Sequence, residues 1–277
     1  MNATREGSGR TALITGASAG IGMALARVSA VKGFDLVLTA RRADRLSALA
    51  TELHDTYGVN AKAIPADLAL PETPAQLIAA LDGAGIAIDV LVNNAGYSVS
   101  GLYREMPWPV QHDFLQVLVT APCELTHRLL PGMTLRGYGR IMNVASVAGL
   151  MPGSASHALY GGAKALMIKF SQSLHSEHIG TGVCVSALCP GFTMSEFHDV
   201  NGTRKSVNRL PKFLWLSAER VAEDGYRALM KNEPICIPGL QYKLVSALIR
   251  LLPMGLAYRL GQQRSRVLAK ADQRHGT

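Results

Sequence analysis

The sequence predicts a doubly wound α/β fold: one parallel sheet with helices on both faces, in a single domain. Three observations carry this. Short apolar runs alternate with helix-like patterns along the chain. A stretch of small residues, TGASAGIG from Thr15 to Gly22, follows the first apolar run and opens the first helical pattern. Finally, 277 residues, 48% hydrophobic and 17% charged, suffice for one sizeable core and exclude a disordered chain.

Taken in order, the expected strands are 11–15, 35–40 (DLVLTA), 60–65, 88–92 (IDVLV), 139–144 (GRIMNV), 182–188 (GVCVSAL) and 234–237 (PICI). The expected helices are about 20–32, 43–57, 72–82, 111–136, 156–179 and 217–231. The first helix is typical of the reasoning, with Ile21, Leu25, Val28 and Val31 recurring at helical spacing. Residues 1–240 read as the catalytic domain, with a substrate loop at 192–215, and residues 241–277 as a basic amphipathic tail. No internal repeat and no low-complexity linker interrupts the pattern.

TGASAGIG sits where a nucleotide loop belongs. A tight turn at Gly16 needs backbone freedom. Gly20 and Gly22 let the helix start approach both a ligand and the strand, and its unpaired N–H groups suit a pyrophosphate. Taken alone, the stretch also fits a small-residue loop with no ligand. The second strand ends at Ala40, which cannot accept from ribose hydroxyls. Arg41 and Arg42 follow it and suit a 2′-phosphate, favouring NADP(H) over NAD. Asp67, followed by Leu68 after the third strand, reads either as an acceptor for the adenine amino group or as a turn residue.

Tyr160 and Lys164 stand at i and i+4, on one helix face. A nearby ammonium favours phenolate, so the tyrosine pKa is expected to fall toward neutral pH. Fourteen residues upstream, Ser146 in NVASVAG has a hydroxyl suited to the same substrate oxygen. A lone YxxxK means little; it gains weight beside the glycine stretch, NNAG (Asn93 to Gly96) and the upstream serine.

With these segments and the CPGFT run from Cys189 to Thr193, the chain resembles the short-chain dehydrogenase/reductase family in its single-domain branch. The resemblance implies a Rossmann-type fold and hydride transfer between NADP(H) and a carbonyl or alcohol. It implies Tyr160 as general acid in reduction and base in oxidation. Lys164 would tune Tyr160 and bind the nicotinamide ribose, and Ser146 would hold the carbonyl. Cofactor contacts would come from Gly16, Ser18, Gly20, Ile21, Gly22, Arg41, Arg42, Asp67, Leu68, Asn94, Ala95, Gly96, Tyr160, Lys164, Pro190, Gly191 and Thr193. The family commonly assembles into homo-oligomers. One position departs from the pattern: counting back from Leu130-Pro131-Gly132-Met133, the family's usual helix asparagine is Leu118 here. Pro122 lacks the N–H that would bond the carbonyl of residue 118, so that carbonyl is expected to substitute in a water relay to the lysine. A low-turnover nucleotide sensor is the alternative that Leu118 raises.

The substrate is expected to be a small apolar ketone, aldehyde or secondary alcohol, with Leu150, Met151, Met194, Phe197, Phe213, Leu214 and Trp215 as candidate pocket residues. Packing of the core or of a subunit contact would use the same side chains. No metal site is expected: His175 and His178 lack a third ligand. Cys123, Cys184, Cys189 and Cys236 contain no CxxC pair and read as buried thiols in a reducing compartment. With polar residues at the start and no apolar leader, the expected location is cytoplasmic. Net charge is +8, and residues 241–277 carry seven Lys/Arg against one acid, +6 of that total. No nucleic-acid motif accompanies the charge, so nucleic acid is not expected as a partner. The tail is read as a segment for an anionic membrane surface, or equally as a cap on the pocket or on a partner subunit.

Overall fold

The computed structural model describes residues 5–99, 101–153, 155, 157–196, 211–253, 255–256 and 258–259. Seven strands form one parallel sheet in the order β3-β2-β1-β4-β5-β6-β9. They are β1 (Thr11–Thr15), β2 (Asp35–Thr39), β3 (Ala61–Ala63), β4 (Val90–Asn93), β5 (Gly139–Val144), β6 (Val183–Leu188) and β9 (Ile235–Cys236). A separate two-stranded ribbon pairs β7 (Thr193–Met194) with β8 (Leu216–Ser217), in parallel. The predicted strands are present, most of them shorter by a residue or more at an end.

The helices are α1 (Gly20–Val31), α2 (Ala43–Tyr57), α3 (Thr73–Gly83), α4 (Trp108–Leu115), α5 (Ala121–Leu135), α6 (Ala158–Glu177), α7 (Ala218–Met230) and α8 (Leu240–Leu251). Two core clusters lie on opposite faces of the sheet. Ala12 and Ile14 of β1 face one, and Leu13 faces the other, as the two-residue strand period requires. α1, α2 and α7 cover the first face; α3, α4, α5 and α6 cover the second. Strand order reverses between β1 and β4, and ligands of such sheets bind at that crevice, beyond the carboxyl ends of the strands.

Two elements differ from expectation. The helix predicted over 111–136 starts at Trp108 and widens into a π turn at Gln116–Thr120, where the Ala121 N–H donates to the Gln116 carbonyl. Pro122 cannot donate in either pitch, to Val117 in π register or to Leu118 in α register, which favours such a defect. The tail begins as a full helix, α8, which packs back onto the domain: its Tyr242 is buried against Gly191. Of the four free cysteines, Cys123 is half-buried and the other three are buried.

Candidate active site

The phosphate side of the site is built mostly from backbone. Gly16 adopts φ +66°, and a Cβ there would stand 2.8 Å from the Ala95 Cα. Thr15 Oγ1 accepts from the backbone N–H groups of Asn94 and Ala95, at 2.9 and 3.0 Å. The Asn94 side chain donates to the carbonyls of Thr15 and Gly16. NNAG therefore clamps the glycine loop across the switch point. A Cβ on Gly22 would meet both the Asn94 amide and the Gly16 carbonyl at 2.4 Å, so this glycine serves close packing. Helix α1 has no side-chain cap and no acid in its first turn, leaving its N-terminal donors to an anion. Ile21 packs partly against the core.

At the end of β2, Arg42 donates through Nε and Nη2 to Ser18 Oγ, at 3.2 and 3.1 Å, while Arg41 is exposed. A glycine cradle, an uncapped helix start and this guanidinium beside Ala40 fit a dinucleotide bearing a 2′-phosphate. Asp67 spends one carboxylate oxygen on the Ala69 N–H, a local turn bond, and Leu68 is buried in the core. Local chain geometry thus takes up part of the capacity expected for adenine.

The three candidate catalytic residues converge from two elements. Ser146 follows β5 and caps the 3₁₀ turn Val147–Leu150, its Oγ accepting from the Ala148 N–H at 3.1 Å. That turn lies directly on α6: a Cβ on Gly149 would stand 2.6 Å from the Lys164 carbonyl carbon. The close approach brings Ser146 into hydrogen bonding with Tyr160. Lys164, one helical turn further on, is buried; its Nζ donates to the Val144 carbonyl at 2.8 Å and lies 5.9 Å from the Tyr160 ring centroid. The Val147 N–H donates to the Pro190 carbonyl, tying this turn to the loop after β6. Thr193 Oγ1 donates to the Gly191 carbonyl, and Gly191 itself makes room for the Tyr242 ring, which a Cβ would meet at 2.0 Å.

Burial sets the electrostatics. It pushes the Tyr160 phenol above its ordinary value, opposed by the bond with Ser146, and it lowers Lys164 to about 8. The expected fall of the tyrosine pKa is therefore corrected. Desolvation is the larger cause, and the ammonium is turned to the Val144 carbonyl. Leu118 is buried, and Gly96 lies between it and the lysine: a Cβ there would be 3.7 Å from both Leu118 Cγ and Lys164 Nζ.

A small cavity adjoins Tyr160, lined by Val99, Tyr103, Met106, Phe114 and Leu159 among others. The sequence reading missed this wall; the only signal was an apolar cluster downstream of NNAG. Of the expected pocket residues, Met194 and Phe213 are exposed, and Leu150 packs partly into a small core cluster. Trp215 stacks near Phe192 at 5.7 Å. Phe197 lies outside the described residues. His175 and His178 bond the Val185 and Leu174 carbonyls. Beneath the site runs a buried polar ladder that was also missed: Asn93 donates to Asn143 and Thr126, and Asn143 to Ser171.

The family model for short chain dehydrogenases matches residues 10–205. The chain is 31% identical over 245 residues to the ketoacyl reductase HetN of Nostoc, covering 88% of this chain and 83% of that protein. A short-chain dehydrogenase from Sphingobium yanoikuyae, solved in complex with NADPH, superposes with a TM-score of 0.77 at 31% identity, over 88% of this chain and 96% of that one. A 7β-hydroxysteroid dehydrogenase superposes with a TM-score of 0.82 at 25% identity, over 93% and 98%.

Proposed function

The chain belongs to the short-chain dehydrogenase family, and on that premise we propose that it is an NADP(H)-dependent reductase of apolar ketones or aldehydes. The observation that carries this reading is the Ser146–Tyr160 hydrogen bond beside a small cavity, with buried Lys164 behind it. NADP(H), when bound, supplies or accepts the hydride. Gly16, Ser18, Gly20, Gly22 and Asn94 to Gly96 would hold it on the pyrophosphate side, Arg41 and Arg42 at the 2′-phosphate, and Pro190, Gly191 and Thr193 near the nicotinamide.

The substrate oxygen sits between Ser146 and Tyr160. Because burial raises Tyr160, its phenol stays protonated at neutral pH and is suited to deliver a proton to the oxygen as the carbonyl is reduced. The Lys164 ammonium favours the phenolate that remains. Ser146 orients the carbonyl by hydrogen bonding. The apolar cavity wall supports a hydrophobic substrate, as the ketoacyl and hydroxysteroid relatives do.

The test is oxidation of NADPH and NADH by the purified protein against a panel of ketones and aldehydes, with Tyr160→Phe alongside. The reading expects NADPH turnover that falls by about three orders of magnitude in the variant. Cofactor binding without turnover across the panel would favour a nucleotide sensor.

We further propose that the protein is a cytoplasmic homo-oligomer and that α8 docks on anionic membranes. No helix among the described residues is long and apolar enough to cross a membrane. Yet α8 turns Leu240, Leu244, Leu248 and Leu251 outward, 59–83% exposed, opposite its buried Tyr242 and Ser246. Lys243 and Arg250, also exposed, border one edge of this stripe, so an anionic bilayer complements both its apolarity and its charge. Leu244→Glu with Leu248→Glu should abolish cosedimentation with vesicles containing phosphatidylglycerol. Undiminished binding would remove the idea.

A further inference from the structure

Glu196, two residues beyond β7, bridges two arginines of the nucleotide side. One oxygen accepts from Arg42 Nη1 at 2.9 Å, and both accept from Arg45 Nη1, at 2.7 and 3.0 Å. Ser18 of the glycine loop takes the rest of the Arg42 fork. The neighbouring residue lies on the same loop: a Cβ on Gly20 would stand 3.0 Å from the Ser195 Cβ. Three distant stretches thus meet on one carboxylate held between two guanidinium groups, and the paired arginines keep that carboxyl below its usual range.

The carboxylate takes one terminal nitrogen from each of two guanidinium groups, donors that serve phosphate oxygens equally well. Two positive groups balance one phosphate dianion; with the Glu196 carboxylate retained, three negative charges would share them. The side chains of Arg42, Arg45 and Glu196 are 40–45% exposed, a setting in which an ion pair is weak and replaceable.

We propose that Glu196 is a specificity-determining residue: it occupies Arg42 and Arg45 as an internal counter-anion, and the 2′-phosphate of NADP(H) displaces it. The proposal rests on the reading of Arg42 as the 2′-phosphate site. Displacement parts Glu196 from Arg42 and Arg45. The apparent affinity for a 2′-phosphate is lowered by the fraction of molecules in which the carboxylate holds the arginines. A ligand without that phosphate does not compete for them.

The experiment measures dissociation constants by calorimetry for NADPH, NADH, adenosine 2′,5′-bisphosphate and AMP, on the wild type, Glu196→Gln and Arg42→Ala. Glu196→Gln should tighten NADPH and the bisphosphate about tenfold, roughly 1.4 kcal/mol, and shift NADH and AMP by less than about twofold. Arg42→Ala should weaken NADPH and the bisphosphate. If Arg42→Ala leaves both unchanged, the 2′-phosphate reading fails and this proposal with it. If Arg42→Ala weakens them while Glu196→Gln changes nothing, tightens all four ligands alike or weakens NADPH, the proposal alone is overturned.

Discussion

The two sides of the cleft are built differently. On the phosphate side, backbone groups and glycines of two short motifs meet: Thr15 holds Asn94 and Ala95, and Asn94 holds the glycine turn. On the substrate side, side chains from separate elements converge: Ser146 after β5, Tyr160 and Lys164 on α6, and Tyr242 of α8 beneath Gly191. The first depends on backbone geometry within short motifs. The second depends on how far burial shifts each side chain, although Ser146, Tyr160 and Lys164 are closer in sequence than Thr15 and Asn94, 79 residues apart. Substitutions on the two sides should therefore fail in different ways.

After Tyr160→Phe, Lys164→Met should show the largest effect. Turnover is expected to fall at least a hundredfold, about 2.7 kcal/mol of barrier, with NADPH still bound. Its stability should move the other way. The lysine pKa is about 8 in the folded chain, against an ordinary value of 10.5. Below pH 8 the fold carries a buried ammonium at full penalty. Between pH 8 and 10.5 the unfolded chain binds more protons, so wild-type stability rises with pH and is lost again as pH falls through about 8. Methionine lacks this slope. The variant's advantage in urea midpoint at pH 7 should shrink by pH 10; equal differences at both values would mean the lysine is not desolvated.

Gly16→Ala breaks the phosphate side. The positive φ and the contact with Ala95 together cost about 3 kcal/mol, read as a lower thermal midpoint and weaker NADPH binding. Gly191→Ala sharpens the contrast, because its backbone is not in the left-handed region and the obstacle is the Tyr242 ring. About 2 kcal/mol is expected, and Gly191→Ala with Tyr242→Ala should recover part of it. No recovery would show that Gly191 is needed for something other than seating α8.

Leu118→Asn should have the smallest effect. We propose that the backbone freed by Pro122 serves the relay that the family's asparagine serves. Turnover should then rise less than about tenfold, whereas a hundredfold gain, about 2.7 kcal/mol, would show that the leucine had impaired the enzyme.

The strand–helix alternation, the glycine turn and the Tyr160–Lys164 spacing were legible in the sequence because each depends on a local period or on a residue with special backbone freedom. The π turn was less so: Pro122 announced a missing donor, but the choice between two pitches depends on packing around Leu118. Arg45 and Glu196 carried no local signal as partners, being 151 residues apart.

From sequence alone, then, came the order of elements, the family and the chemical type of each of the three candidate catalytic groups. Only the tertiary structure decided the direction of the Tyr160 shift, the seat of α8 beneath Gly191 and the carboxylate between Arg42 and Arg45. The physical reason is that desolvation and contacts between distant residues depend on what the folded chain brings together, and local spacing does not contain that information.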